Sequence, residues 1–441
     1  MATSTDITLY TARRSALLDR LPPASLIVLA GYQQKVRSKN IKYHFRQDND
    51  FLYLTGFAEP DALALIYREG NRDYLTLFCR PRDQAAEVSF GQRAGPEGAI
   101  AKYGADYAFA IDEFEPRLLE ALKGKTQVFV SDELNRLPTL WQLINRERFH
   151  TPFDVPKAYR QLSALGAVLH PMRVIKSESE IALIRHAVNA SISGHKALMR
   201  TTTPGIHEGL LAATFMLEIA KHGCVDVGYP NIVASGNNAC CLHYEDNCCE
   251  IKAGELVLVD AGAEYDHYSA DITRTFPATG HFSAAQRQIH NLVLSALDAA
   301  IARVRPGARW NEIYQTCMEV MARGLIELGL LDGSFDDVMA SERYKRFTVH
   351  KTGHWLGMDV HDVGPYQDET GDWRIFEPGM VFTIEPGIYI PVDALDVPSQ
   401  YRGMGVRIED DILVTQQGCE NLSAACPRSS DEIEAFMAAN R

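Results

Sequence analysis

The sequence has no long basic run: its 441 residues include 44 basic and 57 acidic side chains, for a formal net charge of −13. Nucleic acids and anionic membranes attract proteins through clustered lysine and arginine, so neither is expected as a main partner. The apolar run Leu26–Ala30 is far too short to cross a bilayer, and residues 1–15 carry no apolar segment beside their charges. We therefore expect no secretion and a cytoplasmic location.

A disulfide framework is also lacking, because the nine cysteines are odd in number and scattered over a long chain. Two adjacent pairs, Cys240–Cys241 and Cys248–Cys249, flank His243. Cysteine and histidine together can bind zinc, but adjacent cysteines are poorly spaced to ligate one ion. We predict buried, reduced thiols at these positions rather than a structural zinc site.

The composition, 46% apolar and 23% charged, is typical of a soluble globular protein, and the length suits two or three domains. There is no low-complexity segment or short tandem repeat. Residues 1–172 alternate helix and strand patterns and predict a small α/β domain. Its predicted elements are a helix at Tyr10–Leu21 and strands at Ser25–Ala30, Phe51–Thr55, Ala62–Tyr67, Tyr74–Cys79 and Val128–Ser131.

A second domain, residues 173–441, is predicted to begin with a long helix. Ser177 followed by Glu180 forms a capping-box pattern, and apolar residues then recur at helical spacing. Further helices are predicted at Glu208–His222, Ser283–Val304 and Trp310–Leu328. The expected fold class is α+β, with two similar halves that face each other about a pseudo-two-fold axis.

One unusual pattern occurs twice in this domain: a glycine, a mostly apolar run, a carboxylate and a second glycine, at Gly254–Gly262 and Gly379–Gly387. A strand-like run with another acid follows each copy. The two copies thus supply four carboxylates: Asp260 with Asp271, and Glu385 with Glu409. A single such acid is more typical of a strand-end turn. The repetition favours one shared cation site, since ionised carboxylates in apolar surroundings require compensation.

Histidines are concentrated in one segment between the copies. Residues 348–364 hold His350, His354 and His361 among three glycines, which disfavour a helix and indicate a loop across the site. Because a lone histidine is usually structural, we expect about one of the three to bind metal. Arg407 should share a strand face with Glu409, either orienting an acidic ligand or contacting substrate.

One histidine and four carboxylates form an oxygen-rich site, which suits a hard or borderline divalent ion such as Mn²⁺. If some ligands bridge, five of them can hold two ions, and a water shared between two ions loses a proton near neutral pH. The residues therefore indicate metal-assisted hydrolysis.

In this order the candidate ligands resemble the five-ligand pattern of the pita-bread metallopeptidases: Asp260, Asp271, His354, Glu385 and Glu409. The segment Tyr43–Pro60 resembles the N-terminal signature of the aminopeptidase P, or Xaa-Pro aminopeptidase, family. The resemblance spans the whole chain. It implies a smaller α/β N-terminal domain followed by a pita-bread catalytic domain, and a homo-oligomer, either a tetramer or a dimer.

By this resemblance, the chain is expected to bind two Mn²⁺ ions, with Co²⁺ or Zn²⁺ as alternatives, and to remove the first residue of peptides whose second residue is proline. Asp260, Asp271 and Glu409 would bind one ion, and Asp271, His354, Glu385 and Glu409 the other. The remaining positions that the family implies are catalytic or substrate-binding: His243, His350, His361, Tyr389 and Arg407.

In the implied reaction, a hydroxide bridging the two ions attacks the carbonyl carbon before proline. A metal with His243 or His361 would steady the oxyanion, and Glu385 would move the proton toward the leaving nitrogen. Proline has no N–H, so ring faces such as those of His243, His361 and Tyr389 are expected to accept its pyrrolidine.

Two positions depart from the family pattern. Ser89 stands where many members have a tryptophan that reaches a neighbouring subunit's active site, and Asn40 stands where relatives have an aspartate that can meet the substrate amino group. Both departures leave open how tightly the substrate binds and which peptide length is preferred. The alternative functions are a prolidase restricted to Xaa-Pro dipeptides and a non-catalytic pita-bread binding module.

Overall fold

The structure is a computed structural model that describes residues 7–133 and 161–440. The chain forms two compact units, Met1–Met172 and Arg173–Arg441. The sequence pattern also changes between these units, because alternating helix and strand patterns in the first are followed by long helices in the second. In the described parts of the chain, no helix combines the length and apolar character that crossing a membrane requires.

The first unit is built on a mixed sheet. Its strands are β1 (Ser25–Ala30), β2 (Val36–Ser38), β3 (Ile41–Lys42), β4 (Leu63–Glu69), β5 (Arg72–Cys79), β6 (Tyr107–Ala110), β7 (Gln127–Val130) and β8 (Gln161–Ala164). Six of them form one sheet in the order β6-β5-β4-β1-β7-β8, and β2 and β3 form a separate hairpin. Strand β1 is buried along its whole length, antiparallel to β4 and parallel to β7. This central position explains its continuous apolar sequence.

Helices complete the first unit, at Ile7–Leu18, Asn49–Thr55, Gln84–Phe90, Gly95–Tyr103, Phe114–Ala121 and Gly166–Val174, with a short 3₁₀ turn at Ile111–Glu113. The predicted strand at Phe51–Thr55 is wrong, because this segment is the second of these helices. Asp48 caps its start by accepting a 2.8 Å hydrogen bond from the Phe51 backbone N–H, and Gly56 ends it with φ of 67°. Both caps favour a helix over the strand that the apolar residues predict.

The second unit contains eleven strands among its described residues: β9 (Asp226–Val227), β10 (Ile232–Ser235), β11 (Leu256–Asp260), β12 (Ala263–Tyr265), β13 (Tyr268–Ser269), β14 (Thr273–Pro277), β15 (Val381–Ile384), β16 (Gly387–Ile390), β17 (Met404–Arg407), β18 (Asp410–Val414) and β19 (Cys419–Asn421). Its helices are Glu178–Thr201, Glu208–Ala220, Ala284–Ile301, Trp310–Glu327, Phe335–Ala340 and Ser430–Ala439, with 3₁₀ turns at Gly236–Cys240, Arg343–Arg346 and Ser399–Tyr401. The predicted long helices are therefore confirmed. Ser177 forms the predicted capping box with Glu180.

Two similar halves make up this unit. In the first half, the helices Glu178–Thr201 and Glu208–Ala220 share an apolar core with the sheet β10-β11-β14. In the second half, Ala284–Ile301 and Trp310–Glu327 share a core with the sheet β15-β18-β19. Each half thus pairs two helices with an acid-bearing antiparallel hairpin, as the repeated sequence pattern predicts.

Hydrogen bonds join the two halves where their acid-bearing strands meet. The Glu409 backbone N–H donates to the Thr273 carbonyl oxygen at 3.1 Å, and the Thr275 hydroxyl donates to the Arg407 carbonyl oxygen at 2.9 Å. The predicted single strand around Glu409 is interrupted, because β17 pairs with β16 while β18 pairs with β15. Glu409 lies at this interruption, between two strands that belong to different sheets.

The prediction of buried thiols in the two cysteine pairs is wrong. All nine cysteines are free, but Cys240 is only half-buried, and Cys241, Cys248 and Cys249 are exposed. They lie on the connection between β10 and β11 rather than in a core element. This connection also contains Glu245, Asp246 and Asn247, side chains that favour solvent over a core.

Candidate active site

A cavity of about 1580 Å³ opens in the second unit. The predicted site residues that line it are His243, Asp260, Asp271, His350, His354, His361, Glu385, Arg407 and Glu409. Tyr389 does not line it and is only 3% exposed. The structure thus brings together candidates that are far apart in the sequence.

The four carboxylates lie at strand ends. Asp260 is the last residue of β11 and is paired with Thr273 of β14, so Asp271 lies just before that strand. Glu385 follows β15 directly and Glu409 precedes β18. The chain between Asp260 and Asp271 folds back tightly at Gly262, where a Cβ atom would lie only 1.8 Å from the Ala270 carbonyl oxygen. Glycine is therefore required for the first hairpin to place its two acids together.

Asp271, His354 and Glu409 each offer a ligand atom, and these atoms all lie within 4.8 Å of one another. His354 Nε2 is 3.3 Å from Asp271 Oδ2 and 3.8 Å from Glu385 Oε1. Its other ring nitrogen, Nδ1, lies 3.0 Å from the Trp355 carbonyl oxygen. Because a carbonyl accepts a hydrogen bond, Nδ1 carries a proton, and Nε2 is the ring nitrogen that faces the carboxylates.

The protein alone does not compensate these carboxylates. Burial, followed by the charge of Asp260, raises the pKa of Asp271 well above its ordinary value, and burial with Asp271 nearby does the same for the pKa of Glu409. Burial and Glu409 raise the pKa of Glu385 to about 8. Acids with raised pKa values, grouped around one imidazole, are the donor set that a divalent cation requires.

Asp260 differs from the other three acids because Arg407 neutralises it. The Arg407 Nη2 atom donates to Asp260 Oδ2 at 2.7 Å, and this guanidinium is only 3% exposed. Burial opposes ionisation of Asp260, but Arg407 and the Tyr229 hydroxyl outweigh it and hold the pKa of Asp260 below its usual range. Arg407 therefore fixes the orientation of Asp260, one of the candidate ligands.

A chain of hydrogen bonds connects Arg407 to His350. Arg407 Nη1 donates to the Tyr389 hydroxyl at 2.8 Å, and that hydroxyl lies 2.7 Å from His350 Nε2. His350 Nδ1 is 2.6 Å from the Lys351 carbonyl oxygen, so Nδ1 carries the proton and Nε2 accepts from Tyr389. Burial and the charge of Arg407 lower the pKa of His350 to about 4, which keeps the ring neutral.

Tyr389 therefore lies behind the cavity wall, where it supports His350 and Arg407. This position departs from the expectation that its ring accepts the proline. His243 and His361 are both exposed and line the cavity, as a direct substrate contact requires. The rings of His354 and His361 are 4.3 Å apart. Burial, His354 and His243 lower the pKa of His361.

The segment that carries these histidines forms a loop, which confirms the prediction from its glycines. At Gly353, a Cβ atom would lie 2.1 Å from the Thr383 carbonyl oxygen, so only glycine lets the loop approach β15 this closely. Asp362 anchors the far end of the loop. Its buried carboxylate accepts from Arg173 at 2.7 Å and lies 3.0 Å from Lys176 Nζ.

Two residues of the site have no counterpart in the sequence prediction. The Tyr229 hydroxyl lies 2.5 Å from both Asp260 Oδ1 and Asp271 Oδ1. Thr273 donates to Glu409 Oε2 at 2.7 Å and accepts from Arg407 Nε at 3.2 Å. Strand alternation from Asp271 could have indicated Thr273. Tyr229 follows the short strand β9 in a Gly-Tyr-Pro turn, which carries no such periodic signal.

The two departures from the family pattern both lie in the first unit. Ser89 is exposed on the helix Gln84–Phe90, and Asn40 is exposed between β2 and β3. Neither is part of the cavity in the second unit.

Comparisons with known families match both parts of the chain. Residues 182–416 match the model of metallopeptidase family M24, and residues 10–129 match that of the aminopeptidase P N-terminal domain. Among curated relatives, the Xaa-Pro aminopeptidase of Escherichia coli strain K12 is 40% identical over 445 residues, covering 98% of each chain. Human Xaa-Pro aminopeptidase 3 is 35% identical over 90% of this chain and 78% of its own length.

Solved structures agree with these matches. The Pseudomonas aeruginosa aminopeptidase PepP superposes with a TM-score of 0.94 at 42% identity, covering 98% of both chains. A zinc-substituted E. coli aminopeptidase P in complex with product has the same TM-score of 0.94 at 38% identity, covering 100% of both chains. The similarity therefore extends over sequence and fold together.

Proposed function

The chain belongs to metallopeptidase family M24, and from this premise we propose that it is a Xaa-Pro aminopeptidase, which removes the first residue of peptides with proline at the second position. One observation carries the proposal: four carboxylates and His354 converge in a cavity whose walls hold two further exposed histidines. The names of its relatives support the substrate class.

We assign the metal ligands as two overlapping sets. Asp260, Asp271 and Glu409 would hold one divalent ion, and Asp271, His354, Glu385 and Glu409 would hold the second. The expected ion is Mn²⁺, with Co²⁺ or Zn²⁺ as alternatives, since oxygen ligands with one imidazole accept all three. When bound, two such ions supply a water molecule that is acidic enough to react near neutral pH.

Glu385 is the group that we assign to proton transfer. One of its carboxylate oxygens would accept the proton of the attacking water, and the same carboxyl would deliver it to the proline nitrogen as that nitrogen leaves. Glu385 suits this role because it lines the cavity, and His350 Nδ1, which lies 3.6 Å from Glu385 Oε2, borders it on one side.

Histidines would bind the rest of the reacting amide. We assign His243 or His361 to the carbonyl oxygen of the scissile bond, where a ring N–H can donate as negative charge develops. Their rings also offer faces to the pyrrolidine, which has no N–H to be satisfied. Arg407 and Tyr389 act through other groups: they fix Asp260 and His350 in position.

The decisive assay compares three substrates with matched first residues: an Xaa-Pro-Yaa tripeptide, an Xaa-Pro dipeptide and an Xaa-Ala-Yaa tripeptide. Each is tested with chelator-treated enzyme before and after Mn²⁺ is added back. We expect cleavage of the Xaa-Pro-Yaa tripeptide only, and only with metal. Cleavage of the dipeptide alone identifies a prolidase, and binding without hydrolysis in the presence of Mn²⁺ identifies a non-catalytic binding module.

Three further properties belong to the same proposal. Residues 1–172 would be the aminopeptidase P-type domain and residues 173–441 the catalytic domain. Nine free cysteines support a reducing, cytoplasmic location. A homo-oligomer, tetramer or dimer, is expected from the family resemblance, and sedimentation of the purified protein tests it directly.

A further inference from the structure

The two cysteine pairs that flank His243 have no part in the proposed reaction. One of them, Cys248 with Cys249, is exposed, and both sulfur atoms lie 3.6 Å from the hydroxyl oxygen of Tyr244. A single hydroxyl therefore holds the two thiols together at the protein surface. In the other pair, Cys240 is half-buried and Cys241 is exposed.

This dithiol is connected to a buried carboxylate. The Tyr244 hydroxyl donates to Glu208 Oε2 at 2.9 Å, and the Cys249 backbone N–H donates to the same oxygen at 2.9 Å. Glu208 is fully buried, and its other oxygen accepts from the backbone N–H and hydroxyl of Ser235 at 2.8 and 2.7 Å. Tyr244 therefore links the thiols to Glu208, and the residue before it in the chain, His243, lines the cavity.

The environment also favours reaction at Cys249. Hydrogen bonds from Asn238 and Tyr244 lower the pKa of the Cys249 thiol, which increases its thiolate fraction near neutral pH. By contrast, burial raises the pKa of Cys240 to about 11. Thiolate character and exposure are the two properties that make a cysteine sensitive to oxidation, and Cys249 has both.

We propose that Cys248 and Cys249 form an oxidation-sensitive dithiol, which a hydroperoxide converts to a disulfide, and that this modification reversibly lowers the peptidase activity by displacing His243. The modification site is a property of the loop itself. Its effect on activity rests on the proposed function.

The chemistry balances with hydrogen peroxide as the oxidant. The Cys249 thiolate attacks one peroxide oxygen, the O–O bond breaks, and the leaving hydroxide is protonated to water, so that Cys249 becomes a sulfenic acid. The Cys248 sulfur then attacks the Cys249 sulfur, the S–S bond forms, the S–O bond breaks, and a second water leaves with the Cys248 proton. The two thiols lose two electrons, and one peroxide is reduced to two waters.

Closing this disulfide must move the loop. Adjacent Cα atoms across a trans peptide are about 3.8 Å apart, which is shorter than the usual disulfide range of about 4.4–6.8 Å. The backbone at Cys249 therefore has to shift, and its hydrogen bond to Glu208 and the contacts with Tyr244 shift with it. A disulfide between Cα atoms that are this close is strained, and a strained disulfide is easy to reduce, as a reversible modification requires.

The test uses the metal-loaded full-length protein, reduced and freed of reductant, then treated with hydrogen peroxide. After alkylation and digestion, we expect the peptide that contains Cys248 and Cys249 to be lighter by two hydrogen atoms and to resist alkylation. Hydrolysis of an Xaa-Pro-Yaa tripeptide should fall about tenfold or more, since small displacements of a catalytic group have effects of this order. Dithiothreitol should reverse both changes.

Two serine variants complete the design. Cys249→Ser should keep its activity after peroxide treatment and show no disulfide, whereas the matched control Cys241→Ser should respond like the wild type. Absence of the mass change in the wild type, or a sulfinic acid at Cys249 in its place, overturns the dithiol. Equal inactivation of Cys249→Ser overturns the link to activity. Because the mass change is measured without substrate, failure of the proposed function is distinguishable from failure of the dithiol.

Discussion

Tyr229 offers the most direct test of how the protein holds its candidate metal ligands. Its hydroxyl lies 2.5 Å from one oxygen of Asp260 and one of Asp271, the two acids of the first hairpin. Burial, with Asp260 and Asp271 beside it, raises the pKa of Tyr229 well above its ordinary value, so the hydroxyl stays protonated as a donor. The variant Tyr229→Phe removes this donor and little else.

The expected magnitude follows from the charge of the acceptor. A hydrogen bond to a charged group contributes about 1.5–3 kcal/mol, roughly twice a neutral one. If that contribution holds the carboxylates in their metal-binding orientation, its loss weakens metal affinity about 10- to 100-fold, the usual range for residues that orient ligands. Activity at saturating Mn²⁺ should recover, because the ligands themselves remain.

Mn²⁺ buffered by a chelator gives the activation midpoint for each protein, and mass spectrometry gives the bound metal. Tyr389→Phe is the matched control, since its hydroxyl contacts Arg407 and His350 rather than a ligand carboxylate. We expect the control to lower kcat and to shift the activation midpoint less than Tyr229→Phe does, because Tyr389 reaches Asp260 only through Arg407. A Tyr229→Phe protein with an unchanged midpoint and metal content would refute the assigned role.

Three further changes test the site and its framework. Asp271→Ala or Glu409→Ala should lose both ions, because both acids are assigned as bridges; two ions retained in mass spectrometry would contradict this. Burial and Arg274 lower the pKa of His290 to about 3. Below about pH 6.5 this imidazole is protonated in the unfolded chain but not in the folded one, so the free energy of unfolding falls by about 2 kcal/mol from pH 6.5 to 5. In urea unfolding, His290→Leu should remove that part of the acid sensitivity. Arg274 and Asp410 form a fully buried pair at 2.7 Å, so Arg274→Met should destabilise by about 3–5 kcal/mol, and adding Asp410→Asn should restore part of it; additive effects in the double variant would contradict direct coupling.

Local patterns predicted the elements whose cause is local. The capping box at Ser177 and the apolar strand Ser25–Ala30 depend only on residues that are close in the sequence, and both are confirmed. The helix at Asn49–Thr55 was mistaken for a strand because its apolar run is short, and only its caps at Asp48 and Gly56 distinguish the two. A short apolar run fits the period of a helix and that of a strand equally well, so the residues outside the run determine which one forms.

The candidate site shows the same division between local and distant causes. The duplicated pattern identified all four carboxylates, and the glycines around His354 identified the loop. Tyr229 and the buried position of Tyr389 depend on how strands from distant parts of the sequence come together. No spacing within one segment encodes those contacts.

The duplication also explains why the site requires cations. Each half contributes two carboxylates by the same hairpin geometry, but the buried Arg407 guanidinium forms its ion pair with Asp260, at 2.7 Å. The pKa of Asp260 is consequently lowered, while those of Asp271, Glu385 and Glu409 are raised. Asp271, Glu385 and Glu409 are therefore left for a positively charged ligand to neutralise. His354, which only one half provides, places an imidazole beside two of these three acids, and this would make the two proposed ligand sets chemically unequal.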